Sequence, residues 1–150
     1  MIALLCLGGA LAACAAATAP PPPAIEDAEA LLEEIVQAGL AREWERLCAN
    51  ASGTCESELR GNEDRAPTEA PRVVATEVIT GSSAGGVSSA SGVLFVLCGV
   101  DGQGRPYESE VLVFDEGSRL LATAAVYWTG MRVGVGRPPT TVGAEGPARC

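Results

Sequence analysis

From Ile25 onward, the apolar positions Leu31, Leu32, Ile35 and Val36 recur at three- and four-residue spacing, with Glu29, Glu33 and Glu34 on the opposite side. That period predicts an amphipathic helix, and Gly39 predicts its C-terminal cap. A second short helix is expected over residues 40–49, with Leu40, Trp44, Leu47 and Cys48 along one stripe. Residues 50–71 are polar and broken by Gly53, Gly61, Pro67 and Pro71, with one helical turn expected over residues 56–59. Beyond Pro71 the pattern changes to that of strands. Residues 72–80 are rich in Val, Ile and Thr; 81–92 form a Ser/Gly loop; 93–100 are nearly all apolar, as in a central strand covered on one face and partly on the other. Asp101-Gly102-Gln103-Gly104-Arg105 predicts a hairpin turn and residues 107–114 the returning strand. A turn at 115–118 and a long final strand over 119–129 complete the series, and the tail from Gly130 is expected to be loose unless Cys150 pins it. Helices followed by a four-strand antiparallel meander predict an α+β domain, its N-terminal helices packed on a curved sheet.

Ahead of this domain the chain has a different character. Residues 1–13 carry no charge, Ile2, Leu4, Leu5, Leu7 and Leu11 are strongly apolar, and Leu11-Ala12-Ala13 runs directly into Cys14. This closely resembles the lipobox of bacterial prolipoproteins, where small residues precede the cut and the cysteine is acylated. The resemblance implies a signal peptide over 1–13, a lipidated Cys14, and a folded part held at the membrane outside the cytoplasm. Cys6 would leave with the signal. No arginine precedes Arg42, so the basic stretch that opens such signals is missing, which predicts a translation start upstream of Met1. The competing readings are a cleaved secretory signal or an uncleaved anchor over residues 1–19. An anchor wants about 20 strongly apolar residues, and this stretch is largely Ala and Gly after Leu7. Pro20 to Pro23 sit in the Ala/Thr-rich segment that completes residues 14–24. Proline runs favour extended polyproline II, so this segment predicts a spacer of roughly 30 Å.

Cysteine usage agrees with export. Cys48, Cys55, Cys98 and Cys150 remain after the first two are set aside, an even number that favours disulfides in an oxidising compartment. Three connectivities are open: Cys48 and Cys55 flank a helix end and a Ser-Gly turn, so proximity favours that pair, and Cys98–Cys150 then follows by elimination unless the terminal cysteine stays unpaired. Their spacing does not suit zinc, the chain has no histidine, and no calcium-loop pattern occurs, so neither metal nor cofactor is expected. The formal net charge is −9, and residues 26–69 hold twelve acidic side chains against four arginines. Such a surface argues against nucleic acid and against adhesion to anionic lipid by charge alone.

The helical segment Ala38-Gly39-Leu40-Ala41-Arg42-Glu43-Trp44-Glu45-Arg46-Leu47-Cys48 resembles the helix-break-helix of nuclear-transport-factor-2-like domains. Leu97-Cys98-Gly99-Val100-Asp101, Gly104-Arg105-Pro106-Tyr107 and Val126-Tyr127-Trp128-Thr129-Gly130 are similar to strands of small secreted members. The resemblance covers about residues 25–135 and implies a cone-like domain with a pocket between helices and sheet, followed by a tail over 136–150. Three functions are then open. The first is a non-enzymatic binding or accessory domain, tethered at the cell envelope, whose partner is an envelope protein or a small apolar ligand. The second is an isomerase- or cyclase-like enzyme using Glu108 or Glu110 beside Tyr107, with Trp44 and Trp128 as pocket walls. The third is a structural envelope protein without a cavity. Without histidine, the carboxylate–imidazole pair common among enzymatic relatives cannot be built.

Overall fold

A computed structural model describes residues 20–81, 83–84, 87–88, 91–117, 119–133 and 150. The expected signal over residues 1–13, Cys14 and residues 15–19 of the expected spacer lie outside the described residues, as do residues 134–149.

The first helix, α1 (Ile25–Ala41), buries Ala28, Leu31, Leu32, Ile35, Val36, Ala38 and Gly39. Glu26 and Asp27 occupy its first turn, where carboxylates complement the helix dipole. The expected break at Gly39 does not occur. Instead α1 continues to Ala41 and ends on Arg42, which adopts left-handed φ 58°. The amide of Arg42 donates to the Gly39 carbonyl at 3.2 Å and that of Glu43 to Ala38 at 2.9 Å. This pair of bonds is a Schellman motif, which satisfies carbonyls the helix end would leave open. Gly39 serves packing instead. Its bare Cα lets the rings of Tyr127 and Trp128 approach the helix.

Two short helices follow, α2 (Trp44–Ala49) and α3 (Cys55–Leu59), joined by the Cys48–Cys55 disulfide. The loop between them is stitched to the sheet. Ser52 donates its amide to the Ala122 carbonyl, and Ala122 returns its own to Asn50, at 2.9 and 3.0 Å. A 3-10 turn, Glu63–Arg65, leads toward the strands.

Four strands form an antiparallel sheet: β1 (Arg72–Ile79), then β4 (Gly92–Val100), β5 (Pro106–Asp115) and β6 (Leu120–Ala122), in that spatial order. Within the Ser/Gly loop the two-residue strands β2 (Ser83–Ala84) and β3 (Val87–Ser88) make a separate ribbon. The α+β class and the meander are as expected. Strand β4 is buried from Gly92 to Cys98, which explains its continuous apolar run. Val93, Phe95 and Leu97 join Tyr107, Val111 and Val113 in the core under the helices. Leu94, Val96 and Leu112 point the other way and are equally buried.

The long final strand is corrected. β6 stops at Ala122, and Ala124 takes φ 53°, a left-handed conformation that turns the chain out of the sheet. A 3-10 turn, Tyr127–Thr129, then inserts Tyr127 and Trp128 fully into the core. The chain rejoins the edge of β5 where the Glu110 amide donates to the Met131 carbonyl at 2.8 Å. Alternation cannot reveal this, because a β-rich composition looks the same in a strand and in a buried excursion beside one. At the C-terminus, Cys150 is bonded to Cys98 on the sheet face away from α1. Among the described residues no helix is long and apolar enough to cross a membrane.

Candidate functional site

The closest contacts of α1 with the sheet fall on β5 and β6, and β1 lies farther from the helix. Val73 and Val78 both lie on the helix-facing side of β1, opposite Leu97 and Val93 of β4, yet remain 47 % and 49 % exposed. Their shared face depends on a register shift between Val73 and Ala75. In strict alternation two residues five apart would point to opposite faces; one extra residue brings them together.

Between α1 and this shelf runs a groove of about 350 Å³. Leu32 and Val36 form one wall, Val73, Phe95 and Leu97 the floor, and Ala70 and Pro71 one end. Glu29, Glu33 and Gln37 stand on the helix rim. The floor is apolar and the rim is acidic. Such a surface can hold an aliphatic or aromatic group while attracting a cation beside it. Its ionisable groups, Glu29 and Glu33, are exposed on one helix face and suit charge recognition better than proton transfer in a dry site.

The sequence-derived pocket residues do not meet there. Trp128 is fully buried, and its indole N–H donates to the Asn62 carbonyl at 2.9 Å. Its ring lies 6.1 Å from that of Trp44, which is half-buried and borders a separate hollow with Cys48, Glu56 and Leu59. Tyr127 stacks edge-on against Trp128 at 5.1 Å. The rings of Tyr127 and Trp128 fill the space between α1 and the sheet. Burial, then the neighbouring Tyr107, raises the Tyr127 phenol above its ordinary pKa.

Tyr107 is on the helix side of β5, paired across to Gly99. Its hydroxyl is buried, and no hydrogen-bond partner is found for it among the described residues. Burial and, secondarily, the charge of Asp101 push the phenol up from its usual value. Glu108 and Glu110 face the opposite side of the sheet, because successive strand residues alternate. There Glu108 lies 3.4 Å from the Arg132 guanidinium, and Glu110, buried, accepts the Val133 amide at 3.1 Å. The carboxylate expected beside Tyr107 is therefore separated from it by the sheet.

Asp101 is a strongly held charge. Its buried carboxylate accepts the amides of Gln103 and Arg105 at 3.0 and 2.9 Å, and the guanidinium groups of Arg65 and Arg105 at 3.0 and 3.1 Å. Burial opposes its ionisation. The Arg105 amide, the Arg65 guanidinium, the Gln103 amide and the Arg105 charge outweigh that and bring its pKa down to about 2. A carboxylate so fully bonded organises a turn, as its place ahead of the turn glycines Gly102 and Gly104 suggested. Arg65 was the unforeseen partner, brought in by the 3-10 turn. The sequence also concealed the groove, whose only local sign is the pair Val73 and Val78 at a spacing that misleads.

Comparison with protein-family models, curated proteins and solved structures finds no match. Among the described residues no group of three or more His, Cys, Asp or Glu is placed to hold a metal ion. The two disulfides indicate an oxidising, extracytoplasmic environment.

Proposed function

We propose that this chain is a membrane-anchored lipoprotein presenting a non-enzymatic binding or accessory domain, nuclear-transport-factor-2-like in character, at the cell envelope. The observation that carries the reading is the order Leu11-Ala12-Ala13-Cys14, a proline-rich spacer, and a domain whose four cysteines are all paired. With Cys6 lost in the signal, Cys14 is the one thiol left for acylation.

The groove between α1 and β1 is the surface proposed for contact. Tyr127 and Trp128 fill the interior, so an apolar ligand or a protein segment would lie at the mouth rather than inside. The same filling favours a second reading, a structural envelope protein whose groove binds nothing. An isomerase- or cyclase-like activity has less support, since Glu108 and Glu110 lie across the sheet from Tyr107.

Cys14→Ser tests the anchor. Loss of acylation and release of the domain from the membrane are expected, with mass analysis of the wild-type N-terminus finding an acylated Cys14. Membrane retention of the variant, or an unmodified wild-type cysteine, overturns the reading.

A further inference from the structure

We infer that β1 is a docking edge for an extended, cationic-apolar peptide segment, which adds to the sheet as a fifth strand beside the groove. The inference deepens the proposed binding role and rests on it. Among the described residues β1 pairs with β4 alone, so its other side presents backbone N–H and C=O groups. An unpaired strand edge is a template for another extended chain. From Ala75 to Ile79 the register with β4 is regular, giving a straight run on which a new ladder can form.

Side chains add selectivity. Val73 and Val78 are half exposed on the helix-facing side, next to the groove floor of Phe95 and Leu97. An incoming strand places every second side chain over this shelf, and long apolar ones reach the groove. Charge selects the rest. Glu29 and Glu33 are exposed on the rim of the groove beside the shelf, and no cation among the described residues lines that groove.

A second copy of this chain is a poorer occupant than a basic segment. Edge-to-edge pairing of two β1 strands would bring two acidic rims toward each other in a protein of net charge −9. The register shift near Val73 also bends the edge, a common device against self-pairing.

The test uses the full chain and a fluorescent eight-residue peptide alternating valine and lysine. Saturable binding is expected, with hydrogen exchange slowed at the amides of residues 75–79. A peptide with glutamate in place of lysine should bind about tenfold more weakly, and Glu29→Lys with Glu33→Lys should weaken the lysine peptide by a similar factor. Both glutamates are exposed, so that variant keeps the fold. Equal binding of the acidic peptide, unchanged exchange at β1, or a β1-mediated dimer without peptide binding would overturn the inference. Nile red, an uncharged apolar dye, separates this from the broader reading. If the dye occupies the groove while the peptide leaves β1 unprotected, strand addition fails alone; if neither binds, the binding role fails too.

Discussion

Gly39 lies so close to Tyr127 that a Cβ on the glycine would stand 3.0 Å from the tyrosine hydroxyl oxygen and 3.1 Å from the Trp128 ring. Both aromatic side chains have no exposed surface, and the Tyr127 hydroxyl donates to the Val36 carbonyl at 3.4 Å, so neither ring has room to retreat. Gly39 is therefore a contact residue inside a helix.

Two opposing effects meet in Gly39→Ala. Removing a mid-helix glycine stabilises by about 1 kcal/mol, whereas overpacking a filled core costs about 1–3 kcal/mol. Net destabilisation is expected in urea unfolding. Gly99→Ala should cost more, because its Cβ would fall 2.5 Å from the Tyr107 hydroxyl, with no helical gain to offset it. A stabilised Gly39→Ala protein would contradict the packing role.

The Asp101 cluster makes stability depend on acid. The carboxyl is held at about 2 in the folded chain against an ordinary 3.8, so folding favours its ionised form. That contribution is fully present above about pH 4 and is lost as pH falls toward 2. Asp101→Asn should destabilise the protein at pH 6 and flatten the decline between pH 4 and 2, measured by denaturant unfolding across that range. A variant with the wild-type slope there would assign the acid sensitivity to other carboxylates.

The two disulfides close loops of different length, with sequence separations of 7 and 52. Loop-closure entropy gives the shorter about 2–3 kcal/mol and the longer about 4 kcal/mol. Replacing Cys98 and Cys150 together by alanine should lower the unfolding midpoint more than replacing Cys48 and Cys55. The reverse order would mean that the C-terminal closure adds little to the fold.

Particular residues show how far a linear reading reaches. Leu31, Leu32, Ile35 and Val36 repeat with the helical period, and each is buried where that period puts it. The Asp101 turn was likewise legible, because an aspartate followed by glycines bonds its own backbone. The end of α1 was not: a glycine at a helix end and a glycine under an aromatic ring are the same letter. Nor was the departure of the chain at Ala124, since φ 53° on an alanine is sustained by its surroundings and carries no signature of its own.

The groove illustrates the same boundary. Its floor residues, Phe95 and Leu97, belong to a strand whose apolar run announced cover on one face and partial cover on the other. That Val73 and Val78 share a side follows from one shifted residue in the pairing with β4, a property of two strands together.

By itself, the order of residues determined the α+β class, the antiparallel meander, the preference for the Cys48–Cys55 pair and the turn at Asp101, because each follows from periodicity, proximity or local bonding along the chain. Tertiary structure alone decided that Tyr127 and Trp128 fill the interior and that β1 keeps an apolar shelf. Those outcomes depend on which distant surfaces exclude water from one another. Burial is a property of the assembled layers, and no single segment encodes it.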